Sequence, residues 1–236
     1  VDKINSAPYI KASPDSINKW KKILPKKTKP FIGIVWRGKD TVKARSIPLD
    51  NFYSLIQEQF QYVSLQKEFT DHDLIYLNNS QNILYFNKEL KDFSDTAGLI
   101  ELMDLVITID TSVAHLSAAM GKPTWIPLIK NSDWRWFLNR NDSPWYQSVK
   151  LFRQTSKNNW EDVFLSIKAE LSKVQFSEKT ISKNKEIDLT FQSAISAYKS
   201  QKLDQSIELA YKTLSLDPSH YMSFNLLGII SASKGD

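Results

Sequence analysis

Residues 104–125, DLVITIDTSVAHLSAAMGKPTW, hold a strand, a polar hinge and a helix in direct succession. Leu105, Val106, Ile107, Thr108 and Ile109 make a short, nearly continuous apolar run, the pattern of a parallel strand covered on both faces. Asp110, Thr111 and Ser112 are each good amino-caps, and residues 113–120 are small or apolar apart from His115. Gly121 then ends the helix and Pro123 forbids its return. A strand-to-helix turn at the carboxyl edge of a parallel sheet exposes unpaired backbone N–H groups, and the helix dipole adds about half a positive charge there. Phosphate or diphosphate is the natural guest. The plainer alternative is a capped turn that binds nothing, with His115 packed or solvated.

The chain on either side follows the same alternation. Strands are expected at 31–36, 62–65, 83–86, 105–109, 124–128 and 149–152, and helices at 48–60, 96–103 and 160–171. This pattern indicates an α/β fold with a doubly wound parallel sheet over residues 31–171, in which ligands bind beyond the carboxyl ends of the strands. Residues 1–30, rich in Lys, Pro and Ser, read as an inter-lobe tail or linker with a short helix at 16–24. Residues 172–186 turn polar and charged and read as a second linker before a helical region at 187–236.

Composition narrows the classes of function. With 42% hydrophobic and 12% aromatic residues the chain is globular rather than disordered, and no apolar run approaches the roughly 20 residues of a membrane span. The net charge of +5 is local: Lys19, Lys21, Lys22, Lys26, Lys27 and Lys29 lie together, and the other 25 basic residues face 26 acidic ones. A solvated lysine-rich connector is thus favoured over a nucleic-acid surface, so no nucleic-acid partner is expected. The absence of cysteine excludes disulfides, thiolate zinc sites and cysteine nucleophiles, and accords with a cytoplasmic location. His72, His115 and His220 are too scattered for a histidine metal site.

Three more segments reach the same sheet edge if the topology holds. Trp36, Arg37, Gly38 and Lys39 follow the first strand, and Arg45 precedes the helix that opens at Pro48. Cationic side chains there can neutralise a diphosphate, and Gly38 allows a close backbone approach. Arg45, in a polar loop, is expected to act on a ligand rather than on folding. Gln66, Lys67 and Glu68 follow the second strand, where an amide or carboxylate can hydrogen-bond a ribose or base. Ordinary solvated loops remain the alternative for both segments. Asp92, Ser94 and Asp95 read as helix caps, and Trp136 and Trp145 as packing rather than as stacking platforms.

Taken together, IGIVWRG (32–38), RSIPL (45–49), YVSLQK (62–67), the block from Asp92 to Trp125, SDWRWFLNRNDSPWY (132–146) and LFRQ (151–154) resemble the carboxyl-terminal half of bacterial tetratricopeptide-repeat glycosyltransferases of the heptosyltransferase-like kind. The resemblance implies a GT-B lobe that grips a nucleotide-sugar donor. It implies that Asp110, Thr111, Ser112 and His115 bind donor phosphate or sugar, that Arg45 balances the diphosphate, and that Gln66, Lys67 and Glu68 lie near the nucleoside. Trp36, Arg37 and Gly38 join the same site. Ser112 stands where those enzymes commonly have Gly. No cofactor and no metal are implied, the nucleotide-sugar being a substrate. The acceptor lobe and any catalytic base are expected upstream of Val1, so no catalytic residue is assigned and residues 1–236 alone are expected not to transfer sugar.

Residues 187–218 further resemble one tetratricopeptide repeat, with small residues Ala194 and Ala197 on its first helix, Ser206 and Thr213 on its second, and Asp217-Pro218 at its end. Residues 221–236 repeat the first half, with Phe224, Leu227 and Gly228 in phase. Such repeats imply a protein or peptide partner and further units beyond. An ordinary amphipathic hairpin is the alternative. At the level of function, a scaffold that keeps a vestigial donor lobe is the rival reading. A dehydrogenase is disfavoured because no Gly-x-Gly-x-x-Gly follows residues 31–36.

Overall fold

A computed structural model of the chain describes residues 7–38, 45–80, 82–157, 159–174, 176, 178–216 and 220–234. Lys39, Asp217, Pro218, Gly235 and Asp236, which the sequence reading used, lie outside them. The chain divides into two units, Val1–Phe176 and Ser177–Asp236.

The first unit is built on six parallel strands: β1 (Phe31–Val35), β2 (Gln61–Ser64), β3 (Ile83–Leu84), β4 (Leu105–Thr108), β5 (Thr124–Leu128) and β6 (Val149–Arg153). Their order is β3-β2-β1-β4-β5-β6, the arrangement of a Rossmann-like doubly wound sheet. β1 pairs with β2 from Phe31↔Gln61 and with β4 from Ile32↔Leu105, so the direction of winding reverses between β1 and β4. Side chains alternate between the two faces. Ile32, Ile34, Leu105, Ile107, Trp125 and Phe152 point to one core and Phe31, Val35, Val63, Val106, Ile126 and Leu151 to the other side, which is why the strands read as unbroken apolar runs.

On the first face lie α2 (Leu49–Tyr53), α3 (Asp71–Asn79) and α6 (Glu161–Leu171), contributing Phe52, Leu77, Phe164 and Ile167. On the other lie α1 (Pro14–Ile23), α4 (Phe93–Glu101) and α5 (Ser112–Ala119), contributing Trp20, Leu99, Ile100, Ala114 and Ala118. The helix expected over 48–60 stops at Tyr53 and gives way to i,i+3 turns at Ser54, Leu55 and Ile56. The Ser54 hydroxyl takes the Asn51 carbonyl at 2.8 Å and the Tyr62 phenol takes that of Leu55 at 2.6 Å, so the helical ladder loses its acceptors.

Residues 14–23 are packed into this unit. Trp20 is fully buried and donates its indole N–H to the Asp95 carbonyl at 2.7 Å, and the Ser16 hydroxyl donates to the Ser94 carbonyl at 2.7 Å. The lysines of this stretch are partly engaged as well: Lys19 meets Asp95 at 2.6 Å and Lys27 meets Asp104 at 2.7 Å. Of the caps foreseen at Asp92, Ser94 and Asp95, Asp92 accepts from the Asp95 amide at 3.0 Å and Asp95 from the Lys91 amide at 2.9 Å at the start of α4.

The second unit has α7 (Glu178–Lys199), α8 (Leu203–Leu216) and α9 (Tyr221–Lys234) around Phe191, Ala194, Ala210, Leu226 and Ile230. The stretch read as a linker up to residue 186 is helical from Glu178. Small residues let α7 and α8 approach, and the Ser206 hydroxyl donates to the Ala194 carbonyl at 2.9 Å. Gln201, at φ 60°, closes α7 with Lys202 N–H on the Ala197 carbonyl and its own N–H on that of Tyr198. Phe224 is exposed, whereas Ser223, Leu226 and Ile230 are buried. Among the described residues no helix is long and apolar enough to cross a membrane.

Candidate functional site at the carboxyl edge of the sheet

The carboxyl ends of β1 and β4 flank the point where the winding reverses. After β1 the chain turns at Trp36, whose carbonyl accepts the Ile47 N–H at 2.8 Å and so draws residues 45–47 back over the strand end. Gly38 donates its N–H to the Ser46 hydroxyl at 3.2 Å. A Cβ on Gly38 would lie 3.6 Å from the Thr111 methyl and 3.8 Å from Ile109, so the loops after β1 and β4 face each other. Those are ordinary contact distances, and sterics alone do not demand glycine there.

Thr111 is the amino-cap of α5, but its side chain makes no capping hydrogen bond; its hydroxyl instead lies 3.3 Å from that of Thr108. The Thr111 carbonyl takes the Ala114 N–H at 3.0 Å, so among the described residues the Ser112 and Val113 amides are the first-turn donors left without a cap, and Ser112 is exposed at the helix start. Asp110, the other candidate cap, is turned away. Its side chain is 6% exposed and meets Arg45 Nη1 at 3.3 Å. Arg45 also lies 3.8 Å from Asp133, which pairs with Arg135 at 3.1 Å. Two carboxylates thus share two guanidinium groups beside an open helix end.

His115, one turn into α5, completes this group. Its ring stacks on Trp136 with centroids 5.1 Å apart at 18°, its Nδ1 lies 3.1 Å from the Tyr146 hydroxyl, and its Nε2 lies 4.0 Å from Asp110. Burial holds the imidazole below its usual titration range; Asp110 and Asp133 pull it up, and Arg135 pushes it further down. Burial raises the Tyr146 phenol to about 12, helped by the neighbouring Tyr9.

The loop that delivers Asp133, Arg135 and Trp136 is fastened by Arg153 at the end of β6. Its guanidinium donates to the Ser132 hydroxyl at 2.7 Å, to the Arg140 carbonyl at 3.3 Å and to the Trp136 carbonyl. The next residue, Phe137, sits at φ 53°, a conformation that L residues avoid and that the surrounding bonds sustain.

The other candidates divide off. Trp36 is fully buried, donating to Asp73 at 2.9 Å and stacking on Phe69, so its side chain serves the core. Arg37 reaches back to α3, 3.4 Å from Asp73 and 3.4 Å from the Thr70 hydroxyl. Burial acts to raise the Asp73 carboxyl, but hydrogen bonds from Thr70 and Trp36 and the charge of Arg37 outweigh it and hold it low. Gln66 exchanges two 3.2 Å hydrogen bonds with the Arg37 backbone and ties the β1 and β2 loops together. Lys67 spans to the Lys91 carbonyl at 2.8 Å, and Glu68 is exposed. The structure therefore gathers Gly38, Arg45, Asp110, Thr111, Ser112 and His115, and adds Asp133, Arg135, Trp136 and Tyr146 to them. Trp136 packs as expected, fully buried, but packs against His115. The acid–base pairing of Asp133 with Arg135 was the visible signal for that loop.

No family model matches the chain, and no curated protein matches it. Among solved structures it is similar to ADP-heptose LPS heptosyltransferase II of E. coli, at 16% identity and a TM-score of 0.47, over 70% of this chain and 52% of that one. It is also similar to a putative UDP-N-acetylglucosamine 2-epimerase from Listeria monocytogenes, at 12% identity and a TM-score of 0.40, over 82% of this chain and 50% of that one. The chain spans about half the length of each.

Proposed function

We propose that the first unit is the donor-binding half of a glycosyltransferase that transfers a sugar from a nucleotide-sugar to an unidentified acceptor, with the diphosphate held between the β1 and β4 loops. The observation that carries this reading is the uncapped amino end of α5, set at the reversal of the sheet with Arg45 and His115 beside it. The sequence resemblance of residues 92–125 points the same way. In this reading the first-turn amides and the helix dipole receive the departing diphosphate, and Arg45 cancels the Asp110 charge that would otherwise repel it. No residue of this chain is assigned as a base. The second unit is read as tetratricopeptide repeats that bind a protein or peptide.

A thermal-shift screen against common nucleoside diphosphates and nucleotide-sugars tests the reading. A ligand at 100 times its dissociation constant adds about 2.7 kcal/mol of stability, a readily measured rise in melting temperature. A rise with at least one diphosphate-bearing ligand and none with the matching nucleoside is expected. The scaffold alternative draws on one observation, that Arg45 already faces two carboxylates. It predicts no response to any member of the panel.

A further inference from the structure

We infer that Tyr146 fixes His115 in the tautomer protonated on Nε2, making the imidazole a neutral hydrogen-bond donor, rather than a base, toward an anion at the amino end of α5. The anion half of this inference rests on the donor-site reading; the tautomer half rests on the groups that surround the ring.

The two ring nitrogens face neighbours of opposite kind. Nδ1 lies 3.1 Å from the Tyr146 hydroxyl, and Nε2 lies 4.0 Å from the Asp110 carboxylate. A carboxylate paired with Arg45 accepts and does not donate, so a lone pair on Nε2 would be set against negative charge. A proton on Nε2 removes that repulsion, leaving Nδ1 as the acceptor. Tyr146 then supplies the required donor, burial keeping its phenol protonated, with its one proton given to Nδ1 and its oxygen left to accept from the neighbouring Tyr9 phenol. Trp136 lies flat against the ring at 18° and limits its tilt. The remaining groups agree: Arg135 and burial oppose a second proton on the ring, while Asp133 and Asp110 favour one too weakly to prevail. At 4.0 Å the Nε2–Asp110 pair is too long for a hydrogen bond. Among the described residues the Nε2 proton consequently has no acceptor, and neither have the Ser112 and Val113 amides beside it.

Long-range proton–nitrogen correlation spectra of the full chain, recorded above the titration range of histidine, decide the tautomer directly. A His115→Asn variant assigns the signal, and His72 and His220 report that the fold is intact. A proton on Nε2 is expected in the parent, and Tyr146→Phe should shift population toward the Nδ1-protonated form. An Nδ1 proton in the parent, or an unchanged tautomer in Tyr146→Phe, overturns the inference. Should that variant fail to fold, a scalar coupling between the Tyr146 hydroxyl proton and His115 Nδ1 in the parent takes its place, and its absence is equally fatal. Inorganic pyrophosphate is then titrated in. Movement of the Nε2 proton together with the Ser112 and Val113 amides supports the donor role. If the amides move and the Nε2 proton does not, the donor role fails while the site reading stands. If neither moves, the site reading fails and the anion half goes with it.

Discussion

With a side chain 6% exposed, Asp110 carries a charge that water scarcely reaches, and Arg45 at 3.3 Å is its partner. Removing the guanidinium leaves a buried acceptor unsatisfied, at a cost of about 2 kcal/mol. Arg45→Ala should therefore lower stability in urea unfolding by that amount, and adding Asp110→Asn should recover most of it. The sequence suggested a residue that acts on ligand alone; the pair with Asp110 gives it a folding role as well. His115 makes the stability depend on pH. Its folded pKa lies below the usual 6.5, so its contribution is fully present above about pH 6.5 and is lost as pH falls through the lower folded value. Melting temperature should decline over that window in the parent and decline less in His115→Gln. Equal slopes would show that burial of the imidazole carries no such linkage. The carboxylates held low at Asp73 and Asp95 lose their contributions only at more acidic pH, as they protonate.

Elements with strong local signals were legible in the sequence, and those set by distant partners were not. The strand at 124–128 matches β5, and α5 begins at Ser112 and ends before Gly121, because an apolar run and a φ of 76° at Gly121 are local properties. The helix α3 was missed because its apolar periodicity is weak; its real mark is the capping box of Thr70 with Asp73. The short helix expected at 16–24 is α1, starting two residues earlier at Pro14, and what its lysines hid was the burial of Ser16 and Trp20. Gly98 on α4 is what lets α1 close: a Cβ there would lie 2.2 Å from the Ser16 hydroxyl and 2.8 Å from its backbone carbon. Gly98→Ala should destabilise the first unit by about 1–3 kcal/mol, measured by denaturant unfolding. No loss would mean that α1 is not seated on α4 as described. In the site, the residues adjacent in sequence were found together, whereas Tyr146 and Asp133 come from loops whose arrival depends on β5, β6 and Arg153.

Across the whole chain, each unit has its own core, and all seven tryptophans lie in the first. Tryptophan fluorescence should therefore follow the first unit alone, while far-ultraviolet circular dichroism follows the helices of both. Non-coincident denaturation curves are expected, and superimposable ones would argue for a single cooperative transition. The first unit also carries a cleft of about 540 Å³ between α2 and α6, lined by Asp50, Asn51, Asn159, Trp160 and Glu161, which gives a binding experiment a second place to report. Backbone amide mapping with a nucleoside diphosphate separates the two. The largest shifts are expected on Gly38, Ser112, Val113 and Ala114, with His115 among the side chains affected. Shifts confined to the α2–α6 cleft, or none at saturating ligand with the protein folded, would contradict the donor-site reading.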